Sequence, residues 1–172
     1  MGQDAFAEAI ESEDLRVLFR HWQECRGRRQ MPAWGDIRPQ SIKTVLPFVW
    51  AWKYDRASDR FTGRLAGDEI HRIFGATNAG RPMEECFPER YYGAVFALFK
   101  RVVAGPQFFR ERGPVYIHLG RACLGERIVM PLADDGTNCD GIIGATLFEL
   151  NRPIHPDDAP LVGTREDWFS LA

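Results

Sequence analysis

The stretch FTGRLAGDEIHRIFGATNAGRPMEECFP, from Phe61 to Pro88, constrains the fold of this chain more than any other. It reads as a strand, a tight turn, a short helix closed by Gly75, a loop holding Gly80 and Pro82, and the start of a new helix. Asp68 is a candidate N-cap, and Ile70, Ile73 and Phe74 share one stripe behind it. A helix of about two turns is not stable alone in water, so it has to dock on a sheet. Nothing elsewhere in the chain carries the text of an active site, so function has to be argued from a pocket.

The flanking text supplies that sheet. Phe48, Trp50, Trp52 and Tyr54 alternate with Val49, Ala51 and Lys53, and Ala57–Arg60 turns the chain back into Phe61–Ala66 as an antiparallel hairpin. Both faces of the first strand are too apolar for solvent. One is expected to hold the core and helices, the other to lie under the N-terminal helix or a dimer partner. Further on, Val115, Ile117 and Leu119 alternate with Tyr116 and His118. Ile128, Met130 and Leu132 alternate with Val129 and Pro131, and Ile142–Glu149 forms the last strand. Gly120–Gly125 and Asp134–Gly141 read as turns. Pro131 cannot donate to a ladder and marks a bulge or a strand end. Arg110 and Arg112 around Glu111 read as an exposed strand face.

Three more helices are expected. Leu15, Leu18, Phe19 and Trp22 fall on one face of residues 13–26, which Gly27 closes. Pro39 to Leu46 reads as a short helix that Pro47 stops. Pro88 suits the first turn of a longer helix to Val103, with Tyr91, Val95, Leu98 or Phe99, and Val102 on its apolar stripe.

With 172 residues the chain is long enough for one domain with a sizeable core. A net charge of −2 offers no broad positive field for nucleic acid. The run Val45–Trp52 is far too short to span a membrane and contains Pro47. The acidic start MGQDAFAEAIESED has no basic n-region, so no signal peptide is expected and the cytoplasm is the default. Cys25, Cys86, Cys123 and Cys139 are scattered without a CxxC pair or a histidine at ligand spacing, which gives no zinc site. They read as small apolar residues kept reduced. The chain has no Ser-His-Asp phrase, no phosphate loop and no GxGxxG, so neither catalytic nor metal-binding residues are assigned.

The order is a helical cap, two strands, short helices, one long helix and three strands. On it, Phe48–Leu150 resembles a PAS domain. The phrases HWQECRGRRQMPAWGDIRP and QSIKTVLP, joined to FTGRLAGDEIHRIFGATNAGRPM, resemble the stand-alone bacterial PAS-like proteins of uncharacterised function. The resemblance implies an α+β fold: a five-stranded antiparallel sheet with helices on one face, here behind an N-terminal helical extension. It divides the chain into residues 1–47 (extension), 48–150 (PAS-like domain) and 151–172 (tail). It also implies a pocket between the inner face of the sheet and the long helix, with signals leaving through flanking helices. Haem-binding members typically use a histidine on the long helix, and residues 88–103 contain none. Flavin photosensors carry a reactive cysteine in a Gly-x-Asn-Cys-Arg phrase. Cys86 has no Asn before it and no Arg after it, and Glu84 and Glu85 oppose a thiolate. Haem and covalent flavin are therefore disfavoured, and the cofactor is left unknown.

The candidate pocket residues are Trp50, Trp52, Phe74, Phe96, Phe99 and Met130, which can line a cavity for a flat molecule or fill a packed core. His71 at the rim and His118 beside Tyr116 join them, as ligand contacts or as ordinary surface histidines. His21 sits on an amphipathic helix as a phosphoacceptor histidine would, but lacks the usual acidic neighbour and reads as a plain helix residue. Arg26, Arg28 and Arg29 read as a solvated turn. The aromatic pair in TREDWF can anchor a loose tail in a partner groove or pack back on its own domain.

The leading expectation is a sensory or regulatory module, not an enzyme. It would bind a small, largely apolar ligand, signal in trans to a partner protein, form a homodimer, and touch neither nucleic acid nor membrane. The alternatives are a ligand-free dimerisation or adaptor protein with a filled core, and a small α+β enzyme with His71 or His118 as base.

Overall fold

A computed structural model describes the backbone of residues 2–118, 121–153 and 165–171, with side chains except those of 117–122 and 150–153. Its helices follow the apolar stripes. α1 (Gly2–Ala9) buries Phe6, and α2 (Glu13–Arg26) buries Leu15, Leu18, Phe19, His21 and Trp22. Ser12 caps α2 by accepting from the Leu15 N–H. α3 (Asp68–Phe74) starts from Gly67, so Asp68 stands in the first turn and not at the N-cap. It ends at Gly75, whose φ of 69° and N–H to the His71 carbonyl make the left-handed cap. α4 (Glu89–Ala104) buries Phe99, Val102 and Val103, with Pro88 at the N-cap. The helix expected over Pro39–Leu46 is replaced by 3₁₀ turns at Pro39–Ile42 and Leu46–Phe48. A segment this short, bounded by two prolines, cannot recover the cost of nucleating an α-helix.

The strands are β1 (Val49–Asp55), β2 (Arg60–Ala66), β3 (Gln107–His118), β4 (Arg121–Leu132), β5 (Gly141–Pro153) and β6 (Arg165–Ser170). They form one antiparallel sheet in the order β2-β1-β5-β4-β3-β6. The sheet thus has six strands where five were expected. The sixth comes from the segment read as a loose tail, which packs back by pairing Phe108 with Phe169 and Phe109 with Trp168. β4 also runs through Arg121–Gly125, expected as a turn. Gly125 is not a turn residue there: a Cβ on it would lie 1.8 Å from the Leu147 carbonyl oxygen, so glycine admits the neighbouring strand.

The register sorts side chains onto two faces. The inner face carries Trp50 and Trp52 of β1, Phe61 of β2, Gly144 and Thr146 of β5, Arg127 and Val129 of β4, Phe109 and Glu111 of β3, and Trp168 of β6. α4 crosses it: Phe99 stacks on Trp50 at 5.2 Å between centroids, and the Arg101 guanidinium lies 3.7 Å over the Trp168 ring. The outer face lies under α1 and α2. Phe6 stacks on Phe108 at 4.6 Å, Phe19 and Trp22 meet the same ring edge-on, and the Trp22 indole N–H donates to the Pro131 carbonyl at 2.9 Å. The N-terminal helices therefore cover the second apolar face of their own sheet. Among the described residues no helix is long and apolar enough to cross a membrane.

Candidate functional site: an aromatic cleft with a charged floor

The floor of the site begins at Gly144. A Cβ there would lie 2.4 Å from the Trp50 ring, so the glycine is what lets the indole lie flat across β5. The Trp50 Nε1–H donates to Thr146 Oγ1 at 2.9 Å, and Arg127 Nε donates to the same oxygen at 3.1 Å. Arg127 then spends its remaining nitrogens on Glu111 Oε2 at 2.9 Å and on the Val115 carbonyl at 2.7 Å. Its guanidinium lies 4.9 Å from the centroid of the Tyr116 ring. Burial pushes the Glu111 carboxyl above its ordinary range, Arg127 pulls it down, and Glu166 on β6 adds to the upward push. Trp50 and Thr146 are buried, so this polar group works in a low-dielectric setting where each bond counts for more than in water.

Aromatic rings wall the floor. Trp52 meets Phe87 at 5.8 Å, Phe87 meets Phe74 at 5.6 Å, Phe74 meets Tyr116 at 5.4 Å, Tyr116 meets Phe148 at 5.6 Å, and Phe148 meets Phe48 at 5.7 Å. Most of these contacts are edge-on, the arrangement favoured by ring quadrupoles. Phe74, at the end of α3, is 38% exposed and forms the open rim.

The residues singled out from the sequence are only partly brought together. Trp50, Trp52 and Phe99 come together under α4, with Phe61 at 5.8 Å from Phe99 and Phe96 half-buried beside Phe61. Phe74 stands at the rim. His71 is exposed on α3, whereas Met130, though fully buried, does not join the cleft and alternates onto the outer face under the N-terminal helices. The physical reason for Met130 is parity, because Val129 takes the inner position opposite Gly144 and Phe109. His118 ends the backbone of β3, and its side chain lies outside the described residues.

Sequence reading missed Arg127, Glu111, Thr146, Tyr116, Phe87 and Phe148. Glu111, taken with Arg110 and Arg112 as a solvent face, is buried, and so is Arg110. The signal that finds them is register: Glu111 stands opposite Arg127, and Arg127 opposite Thr146, which places three polar residues in one row across β3, β4 and β5. Cys86, just before the start of α4, is half-buried and donates to the Pro82 carbonyl at 3.4 Å. Burial raises its thiol above the usual value, which leaves it protonated and poorly nucleophilic.

Among solved structures, the VqmA dimer of Vibrio cholerae, a LuxR-type receptor, resembles this chain with a TM-score of 0.48 at 14% sequence identity, over 66% of this chain and 52% of that one. The chain thus spans about half the length of that receptor. No curated protein matches it by sequence. The family model of the PAS domain, in contrast, matches residues 10–147, a span that holds α2, the charged floor and the rings of the cleft other than Phe148, and the chain belongs to the PAS domain family.

Proposed function

We propose that the chain is a sensory module in which the cleft between α3, α4 and the sheet receives a small, flat, largely apolar ligand. The ligand state is passed in trans to a partner protein, and the role is binding, not catalysis. One observation carries this reading: a row of polar groups, buried Glu111, half-buried Arg127, buried Thr146 and the Trp50 N–H, lies beside a chain of aromatic side chains that ends at the exposed Phe74. Apolar walls supply affinity by burying ring surface, and a few fixed polar groups set orientation. A core needing only stability gains little from an ion pair with one buried and one half-buried member, since apolar residues of equal volume often hold as well or better.

The second reading is an adaptor with a filled core. Its support is the packing of Trp50, Trp52, Phe61 and Phe99, all buried ring against ring beneath α4. Native mass spectrometry of the freshly purified protein, followed by denaturing extraction, separates the two. A bound mass that leaves on denaturation is the expected result, and a clean apo mass gives the protein to the adaptor reading. The same spectrum reports whether the protein forms the homodimer expected from its sequence.

A further inference from the structure

Four residues in two consecutive pairs tie the cleft to the N-terminal helices. Arg110 and Glu111 are neighbours on β3, and Glu126 and Arg127 are neighbours on β4. Alternation sends one member of each pair to each face. On the inner face Arg127 Nη1 donates to Glu111 Oε2 at 2.9 Å, in the cleft floor. On the outer face Arg110 Nε donates to Glu126 Oε1 at 2.7 Å.

The outer pair holds the junction of α1 and α2. Glu126 accepts the backbone N–H of Glu11 at 2.9 Å and of Ser12 at 2.8 Å, so it anchors the link between the two helices. Arg110 also reaches Glu11 Oε1 at 3.0 Å and Asp167 Oδ2 on β6 at 3.2 Å. A single guanidinium, 2% exposed, thus gathers carboxylates from the junction, from β4 and from β6. Arg112 pairs with Glu11 as well.

We infer that the two ion pairs act as one coupled element, through which the state of the cleft floor sets whether the α1–α2 junction is locked to the sheet. Drawing Arg127 toward a ligand leaves Glu111 buried without its partner, a costly state that β3 and β4 relieve by shifting against each other. Arg110 and Glu126 ride on the same two peptide links. Arg110 bonds three carboxylates on three elements and cannot follow such a shift while keeping all of them. The outer lock therefore has two arrangements, held or released, which is what energetic coupling across a sheet requires. The ligand as trigger rests on the proposed function; the coupling itself is a property of the chain alone.

Hydrogen exchange on the full chain without ligand tests it. The reporters are the Glu11 and Ser12 amides, which bond Glu126, and the Tyr54 amide, which bonds the Asp140 carbonyl far from both pairs, is the reference. Glu111→Gln keeps shape and removes charge, and Arg127→Met removes the cation. Both are expected to speed exchange at Glu11 and Ser12 by about 5- to 150-fold, the range of ordinary coupling energies, with Tyr54 unchanged. Wild-type rates at Glu11 and Ser12 in Glu111→Gln overturn the coupling, and so does equal acceleration at all three amides. If Arg127→Met does not fold, Glu111→Gln alone decides. Because no ligand is present, a negative result leaves the sensor reading standing, and a clean apo mass leaves the coupling standing.

Discussion

Trp50 and Thr146 are joined by an indole N–H to hydroxyl hydrogen bond of 2.9 Å across β1 and β5, both side chains buried. The hydroxyl also accepts from the half-buried Arg127, so one oxygen satisfies two donors. Thr146→Val keeps the volume and removes the acceptor. It is expected to cost about 1–3 kcal/mol for the stranded donors, seen as a lower urea midpoint at unchanged slope. A stability equal to wild type would show that the hydroxyl is not the hub of the floor.

The same indole fixes what can stand beside it. A methyl group at Gly144 would meet the Trp50 ring at 2.4 Å and the Ile128 carbonyl oxygen at 2.6 Å. The strand cannot move from Ile128 without losing its ladder, so the ring has to shift. Gly144→Ala is expected to destabilise the protein by about 1–3 kcal/mol and to change near-ultraviolet tryptophan dichroism. An unchanged spectrum together with unchanged stability would mean that Trp50 does not lie across β5.

These two residues also mark how far the sequence can be read. α2 and α4 were legible because each buries a stripe at helical spacing, and β1 because its aromatic residues alternate. Signals of that kind are local. β6 was not legible, since Arg165–Glu166–Asp167 looks like a solvated tail until β3 pairs with it. Arg110 and Glu111 misled for the same reason: their partners sit 16 residues away on β4, and charge in a strand reads as exposure unless the register is known. α1 was hidden by its acidic, alanine-rich text, in which Phe6 alone is fully buried. Of the aromatic walls, Trp52 and Phe74 were legible in the aromatic load, while Tyr116, Phe87 and Phe148 were brought in by the fold. Its polar floor came only from long-range pairing.

His21 gives the fold a dependence on pH. It is 4% exposed on α2, and its Nε2 accepts the Arg38 N–H at 2.9 Å, with the Cys25 sulfur at 3.4 Å and Glu24 on the other side. Burial lowers its pKa below the ordinary 6.5, Glu24 opposes this and Arg38 adds to it. The unfolded chain therefore takes up the proton first. The stability conferred by neutral His21 is complete above about pH 6.5 and is lost as pH falls from there through the lower folded value. His21→Gln keeps an acceptor for Arg38 without titrating. The gap in melting temperature between wild type and this variant is expected to move against wild type between pH 7.5 and pH 5. A gap independent of pH would remove His21 from the account.

Cys139 is buried at the end of the β4–β5 loop, where its Sγ donates to the Gly141 carbonyl at 3.3 Å. Burial pushes its thiol up to about 11. Since the thiolate is the reactive species, iodoacetamide at pH 8 is expected to leave Cys139 unmodified in the native protein and to alkylate it once urea unfolds the chain. Rapid native labelling, located by peptide mapping, would show that the loop opens without global unfolding.

Core and rim of the cleft separate by mutation. Phe99 is 4% exposed and touches Trp50, Trp52 and Phe61, so Phe99→Ala removes a buried ring and leaves a cavity, at an expected cost of about 3–5 kcal/mol. Phe74 is 38% exposed and makes only edge contacts with Phe87 and Tyr116, so Phe74→Ala is expected to cost about 1 kcal/mol. Its effect should fall on access, because it widens the mouth above Arg127 and Thr146 while the core beneath α4 stays packed. A ligand held in the cleft would then be lost faster from Phe74→Ala than from wild type in a timed native mass measurement, with thermal stability almost unchanged. If Phe74→Ala proves as damaging as Phe99→Ala, the rim is part of the core, and the cleft is closed in the way the adaptor reading requires.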